Sequence, residues 1–83
     1  MPIRVALAED KPFLARAVRE KLALYPDDLE VRFHALDGEA LLARLERDGP
    51  VDAVLMDIEM PGMDGITATA AVRARFPGIK VVM

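Results

Sequence analysis

The sequence predicts an α/β protein with a doubly wound parallel sheet of strand order 2-1-3-4. Two observations point to this fold: short apolar segments alternate with stretches of helical periodicity, and acidic residues directly follow the first and third apolar segments. Strands separated by helices favour parallel pairing through right-handed crossovers. The chain has 83 residues, which is enough for one small domain.

The first half of the chain predicts two strands and one helix. Ile3–Ala8 is apolar and rich in β-branched residues, which is typical of a strand, β1. We expect α1 over Pro12–Leu24, because proline is tolerated at the first helical position. Leu29–Ala35 alternates apolar and polar residues, as an edge strand with one wetter face does, and is β2. Residues at helical spacing predict the apolar face of α1: Leu14, Ala17, Val18, Leu22 and Tyr25.

The second half continues the alternation. Asp37 is a candidate N-cap for α2, whose apolar stripe is Leu41, Leu42 and Leu45 and which ends before Gly49-Pro50. Residues 51–56 form an apolar run, β3, that stops at Asp57. Asp64 is a candidate cap for α3, and Ile79–Met83 begins β4. The predicted apolar face of α3 is Ile66, Ala70, Val72 and Phe76.

Composition excludes several classes of site. The chain has no cysteine, and His34 is its one histidine, so thiolate sites and multi-histidine zinc sites are excluded. It has no serine for nucleophilic chemistry, and no glycine-rich turn follows β1, as a dinucleotide or P-loop fold requires. A net charge of −3 with interspersed signs argues against direct nucleic-acid contact. We find no signal peptide or spanning segment and therefore expect a cytoplasmic protein without membrane contact.

Acidic residues follow two strands that the predicted order makes neighbours. Glu9 and Asp10 come after β1, and Asp57 and Glu59 come after β3. If β1 and β3 are neighbours, as in the order 2-1-3-4, all four acids converge at one edge of the sheet, at its topological switch point. Crowded carboxylates repel one another unless a cation joins them. Ligands that are all oxygen suit Mg²⁺, and Mg²⁺ beside a strand-end carboxylate suggests phosphoryl transfer with Asp57 as the nucleophile.

Simpler structural roles account for other polar residues. Glu9-Asp10 taken alone reads as a polar strand end that caps α1. Asp37 and Asp64 are interpreted as helix caps without chemistry, and His34 as a surface histidine. Three further assignments concern charged residues outside the predicted site: Lys11 as an exposed lysine beside the acids, and Asp52 and Lys80 at the opposite edge of the sheet.

The motifs resemble those of a known family, the receiver domain of two-component response regulators. The resemblance lies in Glu9-Asp10 and, above all, in residues 55–65. The sequence of this second motif is most similar to that of receivers attached to helix-turn-helix DNA-binding domains. It implies that Asp57 accepts a phosphoryl group from the phosphohistidine of a sensor histidine kinase. It also implies that Asp10 and Asp57 bind Mg²⁺, with Glu59 offering its main-chain carbonyl and Glu9 acting through water or from behind the direct ligands.

The resemblance implies a flavodoxin-like receiver fold of which residues 1–83 are a part. Receivers have a fifth strand and five helices, a Thr or Ser that ends strand 4, and a Lys that ends strand 5; no residue of this sequence can be assigned to either role. The resemblance further implies a regulatory domain that takes part in its own phosphorylation and is not a turnover enzyme. Because β4 would be an exposed edge, we expect a homodimer or a domain-swapped oligomer.

Two alternatives remain open from the sequence. A haloacid-dehalogenase-like phosphotransferase would use Asp57-Ile58-Glu59 as its acid pair, although such enzymes want a second acid cluster downstream and here the companion acids precede Asp57. A dimerisation module that works without phosphorylation would use the sheet mainly for assembly.

Overall fold

The computed structural model describes residues 1–83 and confirms the predicted fold class. Strands and helices alternate along the whole chain, and the sheet contains four strands in the order β2-β1-β3-β4. The elements are β1 Ile3–Ala8, α1 Pro12–Leu22, β2 Leu29–Ala35, α2 Gly38–Arg47, β3 Ala53–Met56, α3 Gly65–Arg75 and β4 Lys80–Val82.

All strand pairs are parallel, as the intervening helices require. β1 lies between β2 and β3, with Leu7 opposite His34 on one side and opposite Leu55 on the other. This arrangement confirms β2 as an edge strand and β1 as the neighbour of β3. The carboxyl ends of β1 and β3 therefore lie side by side.

The main core lies between the sheet and the pair α2 and α3. The predicted stripe of α2 is confirmed, since Leu41, Leu42 and Leu45 are all buried. At the contact between the two helices, a β-carbon at position 38 would lie 3.1 Å from the Ala68 β-carbon. Only small residues allow the backbones to approach so closely.

The predicted apolar face of α3 is partly wrong. Val72 is fully buried and Phe76 packs against the core, but Ile66 is 64% exposed and Ala70 is exposed. The helix instead buries small residues, because it lies close to α2 and to the loop after β3. These buried residues are Gly65, Ala68 and Thr69.

The prediction for α1 is also partly wrong. Of its residues, only Ala15 is fully buried, while Leu14 and Val18 are each 38% exposed. The helix ends at Leu22 rather than Leu24, and Ala23 and Leu24 lie in a turn. Pro26 disfavours a helical conformation at Tyr25, so the helix cannot continue past this turn.

An apolar groove runs along the sheet face on the α1 side. It has a volume of about 300 Å³, and β4 forms the open edge of the sheet beside it. Val82 at this edge is 46% exposed. The apolar residues that line the groove are Leu7, Ala8, Ala15, Val18, Leu55, Met56, Val82 and Met83.

No helix of the structure has the length and apolar character needed to cross a membrane.

Asp52 lies at the amino end of β3, far from the acidic edge, as predicted. Its carboxylate accepts hydrogen bonds from the Arg4 backbone amide at 2.8 Å and from the guanidinium at 3.0 and 3.1 Å. These bonds lower the pKa of Asp52 to about 2. The pair ties the starts of β1 and β3 together.

Candidate functional site

The candidate site lies where β1 and β3 end. The Asp57 backbone amide donates to the Ala8 carbonyl at 2.9 Å, which extends the β1–β3 ladder by one bond. The Glu9 amide donates to the Ala35 carbonyl at 3.0 Å on the other side of β1. Both acids are therefore anchored through their backbones at the last rung of the sheet.

Three carboxylates meet at this edge. Glu9, Asp10 and Asp57 each offer an oxygen within 4.8 Å of the others, and all three residues are half-buried. Asp57 Oδ1 accepts a long hydrogen bond of 3.4 Å from the Glu59 amide. Asp57 Oδ2 is buried and has no hydrogen-bond partner. Burying a carboxylate oxygen without a hydrogen-bond donor costs free energy, and a bound cation would remove this cost.

The carboxylates influence one another electrostatically. Burial raises the pKa of Glu9, and the acidic groups of Asp10 and Asp57 raise it further, against a backbone hydrogen bond from Lys11. Burial also acts to raise the pKa of Asp10, but hydrogen bonds with Glu9 and Lys11 outweigh it and lower that pKa. Glu9 therefore retains its proton to higher pH than Asp10 does.

Lys11 contributes the one positive charge in contact with the cluster. Its ammonium lies 3.4 Å from Asp10 Oδ1, and the Asp10 carboxylate raises the pKa of Lys11. The lysine remains exposed, as predicted, and it does not reach Asp57 Oδ2. One exposed ammonium thus compensates only part of the negative charge of the three acids.

The donor set fits a divalent hard cation. The side-chain ligand atoms of the cluster are all carboxylate oxygens, which hard cations such as Mg²⁺ prefer and softer metals do not. An open cleft of about 560 Å³ lies beside the cluster. Asp10 lines this cleft, whereas Glu9 and Asp57 line the apolar groove on the α1 side of the sheet. Residues lining the cleft include Asp10, Lys11, Glu59, Pro61 and Asp64.

Two sequence predictions about the acids are wrong in part: that the Glu59 side chain joins the cluster, and that Glu9-Asp10 caps α1. The Glu59 side chain is exposed and lies outside the carboxylate group, although its backbone contacts Asp57. Neither Glu9 nor Asp10 caps α1: the N-cap is Lys11, which makes no side-chain cap bond, and Glu9 Oε2 instead accepts from the Lys11 amide at 3.1 Å. The prediction that all four acids converge therefore holds for three carboxylates.

The helix caps lie where the sequence placed them. Asp37 accepts from the Ala40 amide at 2.7 Å, and Asp64 accepts from the Thr67 amide at 2.8 Å. The Thr67 hydrogen bond lowers the pKa of Asp64. Both carboxylates serve helix starts and lie outside the three-acid cluster.

Two residues near the site were missed by the sequence analysis. Gly65 lies against the end of β3, and a β-carbon there would be 2.1 Å from the Asp57 carbonyl oxygen. The Gly65 amide donates to the Ile58 carbonyl at 2.8 Å, which closes the loop. His34 is half-buried and contacts Glu9, whereas it was interpreted as a surface histidine. Its position at the carboxyl end of β2, beside β1, was the available signal.

Comparisons with known proteins identify the family. A family model described as the response regulator receiver domain matches residues 5–83. The chain is 38% identical over 81 residues to a protein-glutamate methylesterase/protein-glutamine glutaminase of Nocardioides sp., with 98% of the chain and 22% of that protein covered. It is 33% identical over 81 residues to the transcriptional regulatory protein DegU of Brevibacillus brevis, with 98% and 34% covered. The chain thus spans about a fifth to a third of the length of these relatives.

Solved structures agree with this result. The isolated REC domain of RcsB from Salmonella enterica serovar Typhimurium matches with a TM-score of 0.88 at 25% identity, over 98% of this chain and 59% of that one. The RcsB–DNA complex matches with a TM-score of 0.89 at 25% identity, over 99% and 41%. The chain therefore belongs to the receiver domain family of two-component response regulators.

Proposed function

We propose that Asp57 is the phosphoacceptor of this receiver and takes a phosphoryl group from the phosphohistidine of a sensor histidine kinase. The observation that carries the proposal is the Asp57 Oδ2 atom, buried without a partner at the end of β3 beside two further carboxylates. An Asp57 carboxylate oxygen attacks phosphorus, the phosphorus–nitrogen bond breaks, and the electron pair leaves with the kinase imidazole. The product is an acyl phosphate on Asp57.

The same residues are proposed to hold Mg²⁺. Asp10 and Asp57 would bind it through carboxylate oxygens, Glu59 through its main-chain carbonyl, and Glu9 through water or from behind the direct ligands. When bound, Mg²⁺ would neutralise charge on the transferring phosphoryl oxygens. The Asp57–Glu59 contact of 3.4 Å supports the assignment of Glu59, because it keeps that backbone next to the phosphoacceptor.

The proposed role is regulatory. We propose that residues 1–83 are part of a receiver domain that takes part in its own phosphorylation, is not a turnover enzyme, and controls an output outside this chain. Transcription is the favoured output, since DegU is a transcriptional regulatory protein and RcsB was solved bound to DNA. This segment is proposed to make no direct nucleic-acid contact. The haloacid-dehalogenase alternative is not favoured, because the family match covers residues 5–83.

Association with a second copy is proposed from the sheet. In residues 1–83, β4 is an open edge strand and the apolar groove lies beside it, so a homodimer or a domain-swapped oligomer of this segment would cover both. Light scattering should detect species larger than a monomer. Val82→Lys, at the exposed edge, should shift them toward monomer, and a wild-type chain that stays monomeric at high concentration would contradict this proposal.

Phosphoacceptor function is tested by intact mass and fluorine NMR. The chain is incubated with Mg²⁺ and acetyl phosphate, and one phosphoryl adduct is expected on the wild type and none on Asp57→Asn. In parallel, beryllofluoride, the phosphomimetic present with the RcsB REC domain, should give a Mg²⁺-dependent bound ¹⁹F signal that Asp57→Asn abolishes. Because no residue of 1–83 can be assigned the Thr/Ser or Lys role, the deciding sample is a chain extended past Met83: if it gives neither signal, the proposal is contradicted.

A further inference from the structure

His34 makes a contact that the proposed function does not use. The side chain lies near the carboxyl end of β2 and is half-buried, and its Nε2 is 2.7 Å from the backbone carbonyl oxygen of Glu9. No backbone amide donates to this carbonyl. A carbonyl oxygen can only accept, so Nε2 must carry the hydrogen. The histidine therefore supplies the donor that the ladder between β1 and β2 no longer provides.

The hydrogen bond from His34 fixes the orientation of the peptide unit between Glu9 and Asp10. The Glu9 carbonyl and the Asp10 amide belong to one planar peptide unit, so fixing the carbonyl also fixes the path into Asp10. The Glu9 amide is already held by Ala35 at 3.0 Å. No other side chain from outside residues 9–11 donates a hydrogen bond to the backbone of this segment. His34 is thus its one external side-chain anchor.

Electrostatic repulsion acts on the segment that carries Glu9 and Asp10, so a contact that fixes its position matters. Three carboxylates lie within 4.8 Å of one another, and Asp57 is fixed by the sheet below it. Repulsion would drive the segment that carries Glu9 and Asp10 away from Asp57. Because β2 and β3 flank β1 on opposite sides, His34 does not pull this segment toward Asp57. Its contact of 2.7 Å instead fixes the orientation of the Glu9 peptide unit and limits any shift of that unit toward β2.

We propose that His34 is a positioning residue: by donating to the Glu9 carbonyl, it fixes the peptide unit that leads into Asp10, keeps the Asp10 carboxylate in place beside Asp57 and so supports divalent-cation binding at the cluster. The cation part of this inference rests on the proposed function. Partners behind direct metal ligands commonly change metal affinity by about 10- to 100-fold when removed.

Two substitutions of His34 distinguish a role in positioning Asp10 from a role in the stability of the fold alone. His34→Gln places an amide donor near the position of Nε2, whereas His34→Leu fills similar space without a donor. Backbone amide shifts of Asp57 report Mg²⁺ binding during titration, and urea unfolding reports stability. We expect His34→Leu to weaken Mg²⁺ binding about 10-fold and His34→Gln to restore most of the affinity. If His34→Leu lowers stability but binds Mg²⁺ as the wild type does, the positioning role is overturned.

Metal-free spectra keep this inference separate from the proposed function. Long-range ¹H–¹⁵N spectra of the neutral imidazole should show the Nε2–H tautomer, and the Nδ1–H tautomer would overturn the proposal. In the same samples, His34→Leu should move the amide resonances of Asp10 and Lys11, and His34→Gln should leave them close to wild type. Unmoved resonances in His34→Leu would overturn the positioning. If the wild-type chain itself shows no response to Mg²⁺, the proposed metal function fails, and with it the cation part of this inference.

Discussion

The backbone amide of Asp57 hydrogen-bonds the carbonyl oxygen of Ala8 at 2.9 Å, so the proposed phosphoacceptor is attached to the central strand of the sheet. Ala8 directly precedes Glu9, and the same stretch of backbone therefore carries both sides of the carboxylate cluster. Strand pairing therefore sets the distance between the backbones of Glu9 and Asp57, whereas Asp10 lies beyond the last ladder bond.

Mg²⁺ should stabilise the wild-type chain and should not stabilise Asp57→Asn. A cation that binds only the folded cluster adds about 1.4 kcal/mol to the free energy of unfolding when its free concentration is about ten times its Kd. Urea unfolding with and without Mg²⁺ measures the gain, and EDTA should reverse it. Sodium chloride at the same ionic strength is the control for screening. An equal gain from sodium chloride, or in Asp57→Asn, would show that the cluster is not the binding site.

Gly65→Ala should destabilise the fold and distort the site, because its β-carbon would lie 2.1 Å from the Asp57 carbonyl oxygen and 2.7 Å from the Ile58 α-carbon. Overpacking of this kind costs about 1–3 kcal/mol. The matched control is Gly78→Ala, where nothing lies within 4 Å of the added carbon. Urea unfolding should separate the two variants, and similar losses in both would contradict the close approach.

Removal of a helix cap should reduce stability and leave the site intact. Asp37→Ala deletes the hydrogen bond to the Ala40 amide and should cost about 1 kcal/mol, whereas Asp37→Asn should retain most of the stability. Asp64→Ala should change stability in the same direction. Thermal unfolding measures the effect, and Mg²⁺ titrations measure the site. A loss of Mg²⁺ binding in either alanine variant would mean that the cap also serves the cluster.

Asp52 should make stability depend on pH in the acid range. Hydrogen bonds from Arg4 lower its pKa in the folded chain from 3.8 to about 2. The unfolded chain therefore takes up this proton first as the pH falls. The advantage of the wild type over Asp52→Asn should be complete above the unfolded pKa and should disappear as the pH falls through about 2. Urea midpoints measured across this range test the prediction.

The Arg4 partner provides the control for that experiment. Arg4→Gln should remove the same pH dependence in the wild-type background and change little in the Asp52→Asn background, because the carboxylate it acts on is then absent. A difference between wild type and Asp52→Asn that stays constant with pH would show that the ion pair does not carry the effect.

The sequence was sufficient for the fold and for the three acids, because strand–helix alternation and strand-end carboxylates are local patterns. Leu41 and Leu45 of α2 were placed correctly because this helix lies flat on the core with an ordinary leucine stripe. Ile66 was misplaced because α3 approaches its neighbours through small residues, and hydrophobicity does not register such contacts.

The contacts of Gly65 and His34 could not be predicted for a different reason. Each depends on how one backbone segment passes another: Gly65 beside the end of β3, and His34 across the edge of β1. Residue type and spacing do not encode such distances. A glycine after a capping aspartate, or a histidine in an alternating strand, is compatible with many arrangements.

The sheet contains no hairpin: every pair of neighbouring strands is separated in the sequence by at least one helix. No strand pair can therefore form from a short local segment, and each requires closure of a long loop before any ladder bond is gained. Pairing of β1 with β3 brings together distant residues such as Arg4 and Asp52, which are 48 positions apart. Because the three carboxylates meet only after this step, a signal from bound Mg²⁺ would mark chains that have completed folding, and its rate of appearance would report the slow, non-local part of that process.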